Sequence, residues 1–598
     1  MSSIIQVSKK YRTHTCNDLG LNDNDSTVTL SGWVHSRRDH GGLIFIDLRD
    51  RFGLTQVVFD PAINKEIHSE AEHIRSEWVL QITGTVRKRP EGQSNANLAT
   101  GEIEVLINEL KVLSKAEALP FEIAGGDEVN EELRLEYRYL DLRKKRLQEN
   151  LIFRHKVIQW SRDFFDQEQF IDVETPMLVK GTPEGSREYI VPSRLYNGEF
   201  YVLPQSPQQM KQLLMVAGYD RYIQFARCFR DEDQRGDRQP EFTQLDMEMS
   251  FATQEDVMDI FERWALGLSK KFASQKRLQN EPFPVITWKE AMNSYGSDKP
   301  DVRFEMKIVD VTDILKTAGI NFLDTVINAG GVVKALPVKN GASFTRAQID
   351  KYVEFAQANK AKGLAYIMWD KETGEIKGSL AKLLSPEKAA ELKAFGNLEN
   401  GDLMFFVSDQ WEPAVSSLGA LRLSLGDYFN LRDKDLLAYL WVVEFPLLEQ
   451  GDDGSIGAAH HPFTRPMDED MGLIDTDKMA MRAYAYDLVM NGVELGGGSV
   501  RIHEASLQKK IFELLDLNEE EIQRQFGHIL KAFSFGVPPH AGCAMGIDRL
   551  IMLLRDEPNI REVIAFPKNQ KARDLMFGAP SPLPDNKLKE ANIKIREE

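Results

Sequence analysis

The sequence predicts a multidomain α+β protein, and three observations carry this prediction. The 598 residues suffice for three or four domains with sizeable cores. Residues 1–115 consist of short strand-like runs separated by turn residues. Residues 151–178 instead combine apolar positions at helical spacing with a short strand that ends at Pro176. Strand-rich and mixed segments in one chain indicate separate domains.

The N-terminal runs favour a closed barrel. Five of them, with turn residues between, suit an OB-type barrel, whose exposed face can stack unpaired bases on aromatic rings. They cover residues 28–35, 43–48, 55–59, 78–84 and 102–106. Strand alternation leaves open whether Phe45 stacks on a base or fills the barrel core.

A charged hairpin is the segment richest in chemical groups. Residues 228–248 alternate cations, carboxylates and aromatic rings between two strand-like flanks, with Gly236 and Pro240 in the loop. Arg230 could bind a phosphate, and Phe242 could offer its ring to a planar base. A solvated hairpin with surface ion pairs is the alternative, and it would be the better reading of an isolated charge run.

Three segments together resemble a known family. Residues 228–248 resemble motif 2 of the class II aminoacyl-tRNA synthetases, in the aspartyl form. The helix and strand of residues 151–178 are similar to motif 1, which implies a homodimer. The glycine-punctuated segment 542–550 resembles motif 3. Three motifs in the right order, over some four hundred residues, make a chance resemblance very unusual.

The amino-acid composition indicates which cellular compartment and which binding partners suit the protein. Cys16, Cys228 and Cys543 are far apart and indicate neither a zinc site nor a disulfide framework, which suits a reducing cytoplasm. No run approaches the length of a membrane span. The formal net charge of −18 argues against a polyanionic partner, but acidic and basic residues nearly balance within residues 1–115. We therefore expect an untargeted cytoplasmic protein with local basic patches for tRNA.

The resemblance implies an order of domains. It places an OB-type anticodon-binding domain at 1–115, a hinge at 116–145, and the first part of an antiparallel-sheet catalytic domain at 146–304. An inserted α+β domain, typical of bacterial aspartyl enzymes, is expected at 305–415. The second part of the catalytic domain is expected at 416–565, before a C-terminal extension at 566–598.

The same resemblance assigns residues to ATP and Mg²⁺. Arg230 and Arg549 are the expected catalytic residues, on the α- and γ-phosphates, because the reaction requires charge stabilisation and no general base. Asp487 and Glu494 are expected to hold Mg²⁺, a hard cation that prefers oxygen ligands. The expected ATP set is Arg230, Asp231, Glu232, Gln239, Phe242, Glu494, Gly546, Ile547, Asp548 and Arg549.

Substrate choice is expected to depend on charge. A buried β-carboxylate needs cationic partners, and a site built for it rejects the neutral amide. The resemblance implies that Arg501 and Lys211 bind the β-carboxylate of L-aspartate. It also implies that Asp246 and Glu184 bind the ammonium group of the substrate. The expected aspartate set is Glu184, Gln208, Lys211, Arg230, Asp246, His460 and Arg501.

The resemblance also assigns residues to tRNA. Phe45 is expected to stack on an anticodon base, and Gln56 and Glu104 to hydrogen-bond base edges. Arg38 belongs to a basic cluster of the barrel, and Arg235 in the hairpin loop is expected at the acceptor stem.

Two barrel positions concern which tRNA is charged. Bacterial aspartyl enzymes that accept both tRNA(Asp) and tRNA(Asn) resemble each other in a histidine and a glycine, here His40 and Gly92. Strict enzymes more often carry leucine and lysine there, and a smaller Gly92 would remove contacts that penalise the other anticodon. Charging of tRNA(Asp) alone is the alternative.

Rival functions remain open but are disfavoured. A tRNA-binding paralogue without catalysis would be expected to lose Arg230, Glu494 or Arg549, and all three are present. An enzyme that adenylates a free small molecule would have no use for residues 1–115. Asparaginyl or lysyl specificity is disfavoured by the insertion and by Lys211 with Arg501.

Overall fold

The structure is a computed structural model that describes residues 10–125, 129–181, 185–451 and 453–596. The chain forms two units. The first comprises Met1–Leu151, Ala565–Asn569 and Arg573–Pro580, and the second comprises Ile152–Ile564, Gln570–Ala572 and Ser581–Glu598. None of the helices in the described part of the chain has the length and apolar character that a membrane crossing requires.

The described residues form twenty-four strands and sixteen α-helices. The strands are β1 Thr27–His40, β2 Leu43–Arg49, β3 Leu54–Phe59, β4 Val79–Lys88, β5 Ile103–Ser114, β6 Ile171–Asp172, β7 Ile190–Pro192, β8 Phe200–Val202, β9 Arg221–Phe229, β10 Glu241–Ser250, β11 Arg277–Leu278, β12 Val285–Thr287, β13 Val309–Asp310, β14 Val332–Val338, β15 Ala365–Trp369, β16 Ile376–Lys377, β17 Leu403–Asp409, β18 Leu436–Leu437, β19 Tyr439–Val443, β20 Leu448–Gln450, β21 Ile456–Ala458, β22 Ala485–Met490, β23 Val493–Val500 and β24 His540–Gly546. The α-helices are α1 Lys65–Glu72, α2 Glu131–Glu136, α3 Arg138–Asp141, α4 Lys145–Gln167, α5 Gln208–Val216, α6 Gln254–Phe272, α7 Trp288–Tyr295, α8 Thr312–Leu315, α9 Asn321–Asn328, α10 Arg346–Ala358, α11 Pro386–Phe395, α12 Trp411–Tyr428, α13 Ala505–Leu514, α14 Glu519–Phe533, α15 Ile547–Leu554 and α16 Asp585–Glu590.

A closed barrel of five strands forms the first unit, in the order β1-β2-β3-β5-β4. Only β3 and β5 pair in parallel. Every second residue of β4 is buried up to Val86, as alternation along a barrel strand requires. The barrel predicted from the sequence is confirmed.

An eight-stranded sheet dominates the second unit, in the order β12-β19-β22-β23-β24-β10-β9-β6. Its central pairs are antiparallel, and the edge strands β12 and β6 pair in parallel with their neighbours. The charged hairpin predicted from the sequence is the pair β9 and β10, in which Phe242 lies opposite Cys228. The predicted antiparallel sheet is therefore confirmed.

The two faces of this sheet differ in character. On β10 the side chains of Leu245, Met247 and Met249 belong to the main apolar core, which also contains Trp264 from α6. Because side chains alternate along a strand, the intervening Gln244, Asp246 and Glu248 face the opposite side. A capping box between Thr253 and Asp256 begins α6. One face of the sheet thus holds the core, and the other is free for chemistry.

A second sheet, in the order β13-β14-β17-β15-β16, lies between two apolar cores. Helix α12 contributes Leu418 and Leu425 to one of these cores and continues to Tyr428. The limit at residue 415 expected from the sequence falls inside this helix. We propose that the inserted domain ends after α12, because cutting the helix would divide one core.

Candidate active site

A cleft of about 1280 Å³ lies on the polar face of the eight-stranded sheet. Fourteen residues expected from the sequence line it: Gln208, Lys211, Arg230, Glu232, Gln239, Phe242, Asp246, His460, Asp487, Glu494, Arg501, Gly546, Asp548 and Arg549. Strands β9, β10, β22, β23 and β24 and helices α5 and α15 position most of them. The sheet thus brings together residues that are up to some 340 positions apart in the chain.

Three expected residues do not line this cleft, and a fourth cannot be placed because it lies outside the described residues. Asp231 and Arg235 are exposed on the hairpin loop, where Asp231 lies 3.9 Å from Arg187. Ile547 is fully buried in the apolar core, so only its backbone could face a nucleotide. Glu184 lies outside the described residues.

Two cations and two carboxylates are buried together in the cleft. Arg501 donates from Nε to Glu248 Oε1 at 2.9 Å and from Nη2 to Glu248 Oε2 at 3.1 Å. Lys211 donates from Nζ to Asp246 Oδ1 at 2.8 Å and lies 3.5 Å from Glu248 Oε2. Each of these side chains is at most 2% exposed. Paired in this way, the charges can remain ionised without water.

One oxygen of this cluster has no hydrogen-bond partner among the described residues. Asp246 Oδ2 is buried and accepts no hydrogen bond from the residues that the structure describes. A carboxylate oxygen left in this state carries a desolvation cost, which a cationic ligand in the cleft would relieve. Asp246 is therefore placed to bind an ammonium group.

Three residues that hold Arg501 were missed by sequence reasoning. They are Glu248, Ser499, which accepts from Nη1, and His461, whose Nε2 lies 2.8 Å from Nη1. Spacing by two along β10 could have placed Glu248 beside Asp246. No local signal distinguishes His461 from His460, because their contacts come from the tertiary fold.

The hairpin residues that are expected to bind the nucleotide line the same cleft. Arg230 Cζ lies 5.1 Å from the centre of the Phe242 ring, and among the described residues Arg230 forms no ion pair. Glu232 accepts from Arg238 at 2.9 Å and also from Ser186 Oγ. A cation without a carboxylate partner, beside an open aromatic ring, suits a nucleotide phosphate and its base.

Arg549 is held between two carboxylates that also line the cleft. Its Nη2 lies 3.2 Å from Asp237, and its Nη1 lies 3.6 Å from Glu494. Asp548 has a structural role, since it accepts from the Thr243 N–H at 3.0 Å and from Arg154. Arg549 can therefore exchange carboxylate partners for phosphate, while Asp548 fixes the start of α15.

Asp487 and Glu494 lie on the adjoining strands β22 and β23. Burial raises the pKa of Asp487 to about 6, and the charge of Glu494 adds to this shift, although His460 at 3.7 Å opposes it. The same pairing with Asp487 raises the pKa of His460, in spite of the opposing effect of its burial. Two neighbouring carboxylates that repel each other fit a divalent cation.

The Gly496-Gly497-Gly498 run has a structural reason. A Cβ atom on Gly498 would lie 2.2 Å from the backbone oxygen of Gly542 on the next strand. A Cβ atom on Gly497 would lie 2.1 Å from Asp487 Oδ1. The glycines thus allow close strand packing and leave room for the Asp487 carboxylate.

The expected tRNA residues of the barrel share one surface. Arg38 donates to Asp47 at 3.0 Å and to Gln56 at 3.3 Å, and Gln56 donates to Glu104 at 2.9 Å. Phe45 lies opposite Arg38 in the pairing of β1 and β2 and is not part of the barrel core. Its ring is half-buried, so it can still offer a face to a base.

His40, the last residue of β1, and Gly92, in the loop after β4, are both exposed. Gly92 has φ +80°, and a Cβ atom there would meet nothing within 4 Å. The space above Gly92 is therefore open, and its backbone conformation disfavours residues with a side chain.

A polar cleft on an antiparallel sheet, in one chain with an OB-type barrel, defines a class II aminoacyl-tRNA synthetase. The chain belongs to the family described as tRNA synthetases class II (D, K and N), whose match covers residues 130–570. Residues 28–113 match the OB-fold nucleic acid binding domain.

Relatives of nearly the same length support this membership. The chain is 50% identical over 590 residues to the aspartate–tRNA(Asp/Asn) ligase of Rubrobacter xylanophilus, covering 98% of each chain. It is 48% identical over 586 residues to the aspartate–tRNA ligase of Geobacillus kaustophilus, covering 98% of this chain and 99% of the other.

Solved structures show the same fold. An asparaginyl-tRNA synthetase from Pyrococcus horikoshii, complexed with asparaginyl-adenylate, matches 93% of this chain and 97% of its own with a TM-score of 0.58 and 18% identity. An aspartyl-tRNA synthetase from Entamoeba histolytica matches 94% of this chain and 92% of its own with a TM-score of 0.57 and 18% identity.

Proposed function

We propose that this protein joins L-aspartate to tRNA through an aspartyl-adenylate formed from ATP. The observation that carries the proposal is the buried set of Arg501, Lys211 and Asp246, which line the cleft, with Glu248 paired to Arg501. The names of the relatives, aspartate–tRNA(Asp/Asn) ligase and aspartate–tRNA ligase, agree with it.

The charge set explains the choice of aspartate. Arg501 and Lys211 offer cationic N–H groups to a β-carboxylate, and the unpaired Asp246 Oδ2 accepts from the ammonium. Asparagine has no charge to complete this arrangement, so its binding would leave buried cationic groups less well satisfied. Gln208, at the start of α5, lines the same end of the cleft.

Activation requires the α-carboxylate of aspartate to attack the α-phosphorus of ATP. A P–O bond forms to the carboxylate, the bond to the β-phosphate oxygen breaks, and pyrophosphate leaves with the electron pair. Arg230 neutralises the α-phosphate, and Phe242 stacks on adenine. Glu232 and Gln239 contact the nucleotide, and Arg549 holds the γ-phosphate. The attacking carboxylate is already ionised, so no general base is needed.

Asp487 and Glu494 are the residues that would hold Mg²⁺. Their repulsion and the raised pKa of Asp487 fit a cation between them. Among the described residues there is no group of three or more metal-ligating side chains, which suits an ion that also takes oxygens from the triphosphate. When bound, Mg²⁺ would neutralise part of the phosphate charge.

The barrel would bind the anticodon, and the aspartyl group would pass to the 3′-terminal adenosine of the tRNA. Phe45 would stack on a base while Gln56 and Glu104 contact base edges, with Arg38 beside them. The exposed Arg235 would reach the acceptor stem. The open space at Gly92 and the exposed His40 support charging of tRNA(Asn) as well as tRNA(Asp).

A cytoplasmic homodimer is the proposed state. Large apolar side chains between residues 171 and 200 are exposed, as an interface would require: Ile171 48%, Leu178 52%, Ile190 67%, Leu195 71% and Phe200 48%. The three cysteines are free and buried, which is compatible with a reducing compartment.

Pyrophosphate exchange with ATP tests the activation step. We expect exchange with L-aspartate and very little with L-asparagine or L-lysine. Equal exchange with asparagine would contradict the proposal.

Charging of purified transcripts tests the tRNA specificity. With radioactive aspartate we expect product on both tRNA(Asp) and tRNA(Asn). The double variant His40→Leu, Gly92→Lys should lose most of the product on tRNA(Asn) and keep that on tRNA(Asp). No product on tRNA(Asn) with the unaltered protein would leave the strict enzyme as the correct reading.

A further inference from the structure

The Arg501 guanidinium is almost fully occupied by the protein itself. Nε and one N–H of Nη2 donate to Glu248, and Nη1 donates to Ser499 Oγ and to His461 Nε2. A guanidinium has five N–H groups, so one N–H of Nη2 remains for a ligand. Arg501 can therefore bind a substrate in only one orientation of its guanidinium, and the protein partners of the guanidinium set that orientation.

Hydrogen-bond chemistry fixes the protonation of His461. Because a guanidinium only donates, His461 Nε2 must accept from Arg501 at 2.8 Å. The Phe463 backbone N–H is directed at Nδ1, with N and Nδ1 3.2 Å apart, and Thr464 Oγ1 lies 3.3 Å from Nδ1. A neutral imidazole has only one bare nitrogen. The shorter contact with the guanidinium requires that nitrogen to be Nε2, so Nδ1 carries the proton and donates it to Thr464 Oγ1. Burial, followed by the charge of Arg501, keeps the pKa of His461 well below its usual range. The imidazole is therefore neutral, with Nε2 as a bare acceptor.

We infer that His461 is a specificity-determining positioning residue, which holds the Arg501 guanidinium in the orientation that binds the β-carboxylate. The inference rests on the proposed function and extends it to a residue that need not touch the substrate. Without an acceptor at this position, one N–H of Nη1 would lie buried and unsatisfied, and Arg501 would turn or admit water. Aspartate binding would then weaken, whereas the residues that bind the nucleotide elsewhere in the cleft would keep their contacts.

The test compares two substitutions of similar length and shape. His461→Gln retains a neutral acceptor, whereas His461→Met removes it. In pyrophosphate exchange we expect His461→Met to raise KM for aspartate about tenfold or more, with KM for ATP unchanged within about twofold. His461→Gln should keep KM for aspartate within about threefold of the unaltered protein. His73→Met, at an exposed histidine of the barrel, is the control and should change neither constant.

The outcomes separate the inference from the proposed function. No aspartate-dependent exchange by the unaltered protein would overturn the proposed function and the inference with it. Normal exchange, with Gln and Met variants indistinguishable or with both KM values rising together, would overturn the inference alone. Should His461→Met fail to fold, nitrogen NMR of histidine-labelled unaltered protein decides the matter. A bare Nε2 on His461 at pH 7.5 supports the inference, and a protonated Nε2 overturns it.

Discussion

At the scale of single residues, the site depends on charges that are stable only as a group. Glu248 is fully buried, pairs with Arg501 at 2.9 Å and lies 3.5 Å from Lys211. Burial alone would raise the pKa of Glu248, but Arg501 and then Lys211 hold it below its ordinary value. Removing one member would leave the others buried without compensation.

Glu248→Gln should therefore destabilise the protein near neutral pH, by about 3–5 kcal/mol in the unfolding of the catalytic region. Since the pKa of Glu248 is lowered by folding, its contribution is present above its unfolded pKa and is lost as the pH falls through its folded pKa. Thermal unfolding of the unaltered protein and of Glu248→Gln, at pH 7 and at pH 4, measures the contribution of the ionised Glu248 to stability. The gap between their midpoints should narrow at pH 4, and a constant gap would contradict the assigned charge of Glu248.

The sequence could predict the cations that line the cleft but not the residues that hold them. Arg501 and Lys211 follow from the family pattern around them. Glu248 and His461 act through Arg501, and their contacts join positions 253 and 40 residues apart in the chain. Only the tertiary fold brings such residues together.

At the scale of secondary-structure elements, β23 shows how a strand without side chains supports a charged site. Gly497 faces the Asp487 carboxylate across the pair β22–β23, so any side chain there would push the carboxylate away. The glycines of this strand allow the close approach of neighbouring strands and of Asp487.

Gly497→Ala should weaken Mg²⁺ binding more than it destabilises the fold, because the group that must move is the carboxylate at the end of the Asp487 side chain. We expect the Mg²⁺ concentration for half-maximal exchange to rise about tenfold. Gly527→Ala is the matched control, since its Cβ would meet only the end of the Gln523 side chain in α14. An unchanged Mg²⁺ requirement in Gly497→Ala would argue against Asp487 as a ligand.

Element boundaries were less predictable than element types. The barrel strands and the hairpin follow from alternation and turn residues, which are local signals. The length of α12 is set by the inserted domain's core, to which Leu418 and Leu425 belong. Tertiary packing of this kind produces no local sequence signal at residue 415.

At the scale of the whole molecule, the two units are expected to carry separable tasks. The barrel surface around Phe45 has no part in the proposed activation chemistry, which uses residues of the second unit. Damage to the barrel should therefore affect tRNA charging without affecting adenylate formation.

Phe45→Ala tests this separation. Loss of one stacking ring should lower kcat/KM for charging about tenfold, with pyrophosphate exchange unchanged. Charging assays over a range of tRNA concentrations, alongside exchange assays without tRNA, measure both quantities. A parallel loss of exchange would show that the ring matters for folding rather than for binding a base.

The central claim is that the buried charges of the cleft select an acidic amino acid. Calorimetric titration with two non-hydrolysable sulfamoyl analogues, of aspartyl-adenylate and of asparaginyl-adenylate, tests it directly, because the two differ only in the β-carboxylate. We expect the aspartyl analogue to bind at least about 100-fold more tightly. Equal affinities of the two analogues would contradict the assignment of Arg501 and Lys211 as the basis of substrate choice.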